Sequence, residues 1–477
     1  MRNFIFYEQR ARWQRIAKVF TVSSFGVFFL VFSGSLIAGL FLQFVVLPAL
    51  PSLHAGNGLL KGGDWVRFHH EAVELVSLMG GYGWPAWELR PQGNAPIGIA
   101  AAAYFITGIS KPWVLLPINA AIFALAAVTL FGIFKSLASK HLALIATLPF
   151  VLFPSSVMIY GQIHKDVYSI TGTLVITYVW VRFAQLVQPD WRSSLSRVLF
   201  TAIGCSLVWI VRPYLLQSLI VASLLIVLLL GIVTNRGRGG VWWWGVMLCL
   251  VVQISYSKLS TEIFAPTSST SSTSSTSSTS STSSTSSTSS TSSTSSTSST
   301  SSTSSKISTY LERVVANLKV TRVGFAESAP NAGSNIDTSV HFDSLADVIS
   351  YIPRALQVGL FAPFPSMWFS NGVSPGSDIM RYISGLEMAI SYILFIGVLL
   401  LLYGLKVHRP SLLVIILMVI VMTVVLALVV CNVGTLYRMR YGTWHLLHGL
   451  GVLGWAQYWE QWFSKKHSEL PPNLADI

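Results

Sequence analysis

Charge is what this chain has least of. Only 10% of its 477 residues are Asp, Glu, Lys or Arg, against 52% hydrophobic residues, and the mean hydropathy is +0.61. That balance lies well above the range of soluble proteins. The three cysteines, Cys205, Cys249 and Cys431, all fall inside apolar runs. They read as small packing residues and exclude a disulfide framework or a cysteine metal site. Basic residues outnumber acidic ones 31 to 18, yet no basic motif with interleaved aromatics occurs in a polar domain. The excess therefore reports basic cytoplasmic loops rather than a nucleic-acid partner. The second half does not repeat the first, and the interiors of the apolar runs are free of charge, which counts against a transporter.

What the chain has in quantity is long apolar runs. Many exceed the ~18 residues that read as a membrane-spanning helix, so the fold class is an all-α polytopic membrane protein of about ten transmembrane helices. Residues 1–18 carry Arg2, Arg10, Arg12, Arg15 and Lys18 and stay in the cytoplasm. The run 19–47 is too long for a signal peptide and reads as an uncleaved first helix. An outer loop, 48–112, follows. Its apolar stretch 96–110 starts at Pro96 and is too short to span, so it reads as an interfacial or re-entrant helix. The spans 113–134, 141–161, 167–187, 198–211, 214–233 and 241–257 then alternate, each inward run ending in basic residues. Counting 96–110 as a span would put those basic loops outside. The N-terminal transmembrane module is thus 19–257, followed by an outer segment 258–386. Spans 387–405, 411–431 and 443–463 close the chain, with 464–477 a cytoplasmic tail. The protein is expected in a bacterial inner membrane, multi-pass, with both termini in the cytoplasm and lipid around it.

Within the outer segment, 267–305 is thirteen tandem Thr-Ser-Ser triplets. Such a tract buries no apolar surface and is expected to be a disordered, inert spacer. Beyond it, Ile307, Leu311, Val314, Val315 and Leu318 recur at helical spacing and predict an amphipathic surface helix. Asp343 or Ser344 caps a second such helix that runs into Pro353. The Pro-broken stretch LFAPFPSMWF (360–369) reads as a re-entrant hairpin or interfacial belt, and Trp242 to Trp244 as another belt.

The chemistry gathers beside the first helix. Lys61 to Glu74, KGGDWVRFHHEAVE, concentrates Asp64, Arg67, His69, His70, Glu71 and Glu74, and charge so close to hydrocarbon marks a substrate path or catalytic centre. By the topology above, His164, Lys165, Asp166, Arg212, Arg438 and Arg440 reach the same outer face. A carboxylate there takes a proton from an attacking hydroxyl, while Lys and Arg hold a phosphate. A lipid-phosphate sugar donor needs both. Arg438 and Arg440 share a face in an extended segment and diverge on a helix. His69-His70 and the pair His445 and His448 lack a convincingly spaced third ligand, so no metal or other cofactor is expected and a divalent ion is not supported.

Four stretches together resemble a known family. They are the acidic motif of the first outer loop, the Pro-opened helix NAPIGIAAAAYFITG (94–108), FPSSVMIYGQIHKD (153–166), and the Arg212-Pro213 pair two helices later. They resemble the integral-membrane GT-C glycosyltransferases, which include protein mannosyltransferases and the lipid A aminoarabinose transferase, over roughly residues 1–235. The closing GTLYRMRYG and YIPRALQVGLFAPFPSMWF (351–369) are similar to bacterial polysaccharide-cluster membrane proteins. The resemblance implies Asp64 in the catalytic-base position, shared with Glu71, and Lys165-Asp166 in the second acidic motif. A single Asp64 stands where several relatives carry a paired acidic motif, and Asn94 where some carry a phosphate-contacting lysine. The implied activity is inverting transfer of a hexose-type sugar from a polyprenyl-phosphate or polyprenyl-diphosphate donor. The acceptor is a glycan, lipid or protein outside the cytoplasm. A polysaccharide polymerase or ligase of the same chemistry, or a lipid-linked sugar flippase, is the alternative.

Overall fold

The computed structural model describes residues 23–185, 190–233, 239–263, 301–328, 330–370, 377–404 and 410–468. Among them, eight helices are long and apolar enough to cross a membrane, or nine if one bent pair counts as a span. The chain is an all-α polytopic membrane protein. In order come α1 (Ser24–Phe41), α2 (Asp64–Tyr82), α3 (Ala95–Thr107), α4 (Leu116–Lys135), α5 (Lys140–Leu152), α6 (Ser155–Gly161), α7 (Asp166–Gln185), α8 (Trp191–Val211), α9 (Leu215–Val233) and α10 (Gly240–Ile263). From the end of the triplet tract onward come α11 (Ser301–Ser328), α12 (Leu345–Phe361), α13 (Pro365–Trp368), α14 (Ser377–Gly404), α15 (Pro410–Val429), α16 (Val433–Met439) and α17 (Tyr441–Ser468). One antiparallel hairpin, β1 (His54–Gly56) and β2 (Leu59–Leu60), lies between α1 and α2.

Several expected elements take other bounds. The run 141–161 is broken by 74° between α5 and α6, because Pro154 cannot continue the helix; Ser156 Oγ donates to the Val151 carbonyl at 3.1 Å and satisfies one of the groups the break exposes. The helix expected over 387–405 begins ten residues earlier, at Ser377. The tenth expected span, 443–463, lies in the 28-residue α17; it is long enough, but its Trp, His, Gln and Glu side chains keep it below the apolarity of the others. Residues 301–305 of the Thr-Ser-Ser tract form the first turn of α11, where a helix nucleated by the apolar positions beyond Lys306 propagates backwards; the rest of the tract, 267–300, lies outside the described residues. Pro353 sits inside α12 rather than at its end, with Ser344 as the capping residue in a capping box with Asp347. Trp242, read as part of a belt, is buried and donates to the Phe183 carbonyl at 3.1 Å, while Trp243 and Trp244 are exposed. All three cysteines are free and buried.

Two packing relations place the site. The first is the cap formed by α2 on α3. Trp65, Phe68, His69, Ala72, Leu75 and Met79 recur at helical spacing and are buried, and they meet Ile97, Ala100, Ala101 and Tyr104 of α3 in a core of their own. Each large apolar side chain so enclosed contributes about 1.5–3 kcal/mol. A Cβ on Gly98 would fall 2.3 Å from the Glu88 carbonyl oxygen, so only glycine lets this loop close over α3. The second relation is the crossing of α7 and α8 at Gly172 and Gly204, where a Cβ on Gly172 would stand 2.5 Å from the Gly204 carbonyl oxygen. That close approach brings the first residue of α7, Asp166, beside Arg212 at the end of α8.

Candidate active site

A cavity of about 800 Å³ opens between two walls. The first wall is made by α1 with its π-helical extension Leu42–Val46, the start of α2, and the α5–α6 break running into His164. The second is made by residues 332–334, the start of α14, and α16. Most of the lining is apolar, including Phe41, Leu42, Leu47, Met158, Met367 and Ile383. Against that background stand Asp64 and His164 on the first wall and Arg381, Tyr437 and Arg438 on the second.

Asp64 is the first residue of α2, exposed, with its carboxylate near the positive end of the helix. The hairpin before it is held by Gln162. Its Oε1 accepts the Leu60 amide at 3.2 Å and its Nε2 donates to the Gly58 carbonyl at 3.3 Å. The same buried Gln162 fixes the start of the turn that carries His164. His164 Nδ1 lies 2.8 Å from Asp166 Oδ2, and Arg438 Nη1 lies 2.8 Å from His164 Nε2. A guanidinium has only donors, so Nε2 accepts and the ring proton sits on Nδ1. The Asp166 amide is also 3.1 Å from Nδ1, but a protonated Nδ1 has the carboxylate as its acceptor. Asp166 is fully buried and also takes a hydrogen bond from Arg212 Nη2; Arg212 Nη1 donates to Tyr214 Oη at 2.9 Å. Burial holds the His164 imidazole below its ordinary pKa, with Arg438 and Arg212 adding to the effect and Asp166 opposing it. The ring is neutral.

The other expected site residues are placed differently. Lys165 Nζ donates to Asn94 Oδ1 at 2.6 Å and lies 5.4 Å from the Phe68 ring centre; burial lowers its pKa. Asp166 and Arg212 stand behind the cavity lining and act on it only through His164. Glu71 lies two turns along α2, 3.8 Å from Arg67, and does not line the cavity. Arg440 does not reach it either. Residues 433–439 are helical, so the two arginines diverge. Arg440 is buried, donating to the Val358, Gly359 and Ala362 carbonyls at the end of α12, 4.5 Å from the Trp444 ring centre. His445 and His448 pack among Phe153, Phe395 and Trp444. His69 bonds Tyr104 Oη at 3.0 Å. Among the described residues no group of three or more His, Cys, Asp and Glu stands together to hold a metal ion.

Two residues of the second wall escaped the sequence reading. Arg381, half-buried, donates to the Ser370 and Gly333 carbonyls at the cavity edge. Glu387, buried, accepts the Ser155 amide at 2.7 Å and the Tyr437 hydroxyl, so one carboxylate pins the start of α6 to α16. Its signal was available: it is an acidic residue at the head of an apolar run. The segment after the tract also frames this wall. Ile336 N donates to the Cys431 carbonyl and Val433 N to the Ser334 carbonyl, each at 2.9 Å, and Asn432 caps α16.

No family model and no curated protein matches this chain. Among solved structures it is similar to the archaeal oligosaccharyltransferase AglB from Archaeoglobus fulgidus, solved in complex with an inhibitory peptide and a dolichol-phosphate. The two are 13% identical with a TM-score of 0.45, and the match covers 93% of this chain and 51% of the archaeal one. The chain thus spans about half the length of that protein.

Proposed function

We propose that this chain is a GT-C-like glycosyltransferase of a bacterial inner membrane, with the cavity at the extracytoplasmic face. It transfers a sugar from a polyprenyl-phosphate or polyprenyl-diphosphate donor, with inversion, to an acceptor in cell-surface glycan synthesis. The observation that carries this reading is the pairing of an exposed carboxylate, Asp64, and a guanidinium, Arg438, in one largely apolar cavity. Its apolar lining suits the first isoprene units. Arg438 takes the phosphate, whose charge grows as it leaves. Asp64 takes the proton of the attacking hydroxyl. The acceptor oxygen bonds the anomeric carbon as the carbon–phosphate-oxygen bond breaks, and the electron pair goes to the phosphate. The motif resemblance through the first outer loop and His164–Asp166 points the same way.

The test is sugar transfer from a radiolabelled lipid-phosphate donor in membranes holding each variant at matched abundance. Asp64→Asn should slow turnover by roughly 10²–10⁴ with donor affinity kept, and Arg438→Ala should weaken both. Full activity in Asp64→Asn removes Asp64 as the base. Movement of lipid-linked sugar between leaflets, with no transfer and no effect of Asp64→Asn, would make the protein a flippase.

A further inference from the structure

Behind Arg438 runs a line of buried contacts that the transfer step does not itself use: Arg212 to Asp166, Asp166 to His164, and His164 to Arg438. Neither Asp166 nor Arg212 lines the cavity, yet Asp166 is completely buried and Arg212 is 8% exposed. Burying two charges with an imidazole between them and the cavity is costly unless the arrangement holds something in place.

We propose that His164 is the positioning residue for Arg438: its Nε2 lone pair takes one Nη1 hydrogen and so aims the rest of the guanidinium fork at the donor phosphate. This rests on the transferase reading, since it takes Arg438 as the phosphate ligand. The geometry supports it in three ways. Among the described residues no hydrogen bond is made by Nε or Nη2 of Arg438, so the outer edge of the fork is free for a bidentate contact. The imidazole is 6% exposed and its other nitrogen is tied to a carboxylate, so the acceptor atom has little freedom to turn. And Arg438 sits on the seven-residue α16, where a long side chain without such a tether would sample many rotamers and lose that freedom on binding.

The arrangement works only with a neutral ring. The charged groups facing His164 are Asp166 at the start of α7, Arg212 at the end of α8 and Arg438 on α16. On the α2 side it meets the uncharged Trp65 ring, 5.7 Å away, and the neighbouring Lys165 is turned to Asn94. An imidazolium would have no lone pair for Arg438 and would stand between two guanidiniums. Burial and those two arginines hold the imidazole neutral below its usual range. The tether therefore persists at neutral pH and fails on acidification.

The experiment uses the full-length protein in detergent and measures binding of decaprenyl phosphate, which carries no sugar and needs no turnover, beside the transfer assay. His164→Ala should weaken binding and raise the donor KM by about 10–100-fold, the loss of one hydrogen bond to a charged group, with kcat changed far less. His164→Gln, whose amide can donate to Asp166 and accept from Arg438, should recover most of that affinity. As pH falls below the ordinary imidazole range the wild type should lose affinity beyond the loss seen in His164→Gln, whose curve reports the ionisation of the phosphate alone. Wild-type affinity in a well-folded His164→Ala, or a His164→Gln that binds no better than His164→Ala, overturns the inference. A wild type that neither binds decaprenyl phosphate nor transfers sugar overturns the transferase reading instead.

Discussion

Each wall of the cavity is pinned by one buried carboxylate, and the two differ in what satisfies them. Asp166, on the first wall, faces a guanidinium and an imidazole. Glu387, on the second, faces a backbone amide and a phenol. A carboxylate paired with a fixed cation commits both charges to the fold, because neither can be left alone in a dry interior. One held by neutral donors loses only a hydrogen bond when a partner goes. The first wall is therefore brittle and the second forgiving, though both present a charged group to the same space.

The sharpest way to break this contrast is to strip Asp166 of its cation. Arg212→Ala leaves a fully buried carboxylate with only the His164 ring, and should cost about 3–5 kcal/mol. It should be read as a large fall in the thermal transition of the detergent-solubilised protein. Replacing the pair together, Asp166→Leu with Arg212→Met, should recover most of that loss, since an apolar pair of similar volume tolerates the site. A fall of under about 1 kcal/mol for Arg212→Ala would show that the pair is hydrated and not a pin.

The matching change on the second wall is Tyr437→Phe. It removes one hydroxyl, leaves Glu387 the Ser155 amide, and should cost about 1–3 kcal/mol. If the two single changes proved equally damaging, the distinction between the walls would be lost. Tyr437 adjoins Arg438, so this variant should also weaken donor binding more than its stability loss accounts for.

That the first wall is better known from sequence than the second has a physical cause. Its residues declare themselves locally: α2 is an amphipathic helix whose buried positions follow the 3.6 period from Trp65 to Met79, and His164, Lys165 and Asp166 are consecutive at a helix start. Which partners they find is another matter, because Arg212 meets Asp166 only through the Gly172–Gly204 crossing. On the second wall the decisive fact is conformational. Arg438 and Arg440 look alike in the sequence, and only the seven-residue helix at 433–439 sends one to the cavity and the other to the carbonyls of α12. Glu387 declared itself by its charge, but not by its place: α14 begins ten residues before the run becomes continuously apolar, so a residue at the head of the apolar run lies well inside the helix. Beyond the positions that predict a surface helix, Arg322 of α11 is buried and donates to the Leu428 carbonyl of α15 at 2.8 Å, a tertiary contact no local pattern announces.

Acid should separate the walls more gently. His69, on the first wall's α2 cap, has its pKa lowered by burial to about 4, with His70 and Lys111 adding to the effect. The unfolded chain binds that proton near 6.5, so the unfolded state holds more protons between the two values. The stabilisation is complete above 6.5 and is lost as pH falls toward 4, the loss reaching about 1.4 kcal/mol at pH 5.5. The protection of residues 64–107 against hydrogen exchange, taken relative to the intrinsic rate at each pH, should fall over that range, and His69→Gln should flatten the response. An unchanged response in the variant would assign the effect elsewhere.

The smallest effect belongs to a third carboxylate, which calibrates the other two. Asp337 takes hydrogen bonds from Arg354 and from the Tyr351 hydroxyl, but the Arg354 side chain is 39% exposed, so water screens the pair. Such pairs are worth about 0–1 kcal/mol. Asp337 also has φ of +51°, a left-handed backbone that Asn tolerates and Ala does not. Asp337→Asn should therefore lower stability by no more than about 1 kcal/mol, while Asp337→Ala should cost about 1–2 kcal/mol more from the backbone alone. Thermal unfolding of the two variants side by side separates charge from conformation. If Asn proved as costly as Ala, the ion pair would dominate even at this half-buried position, and full burial would no longer be what sets Asp166 apart.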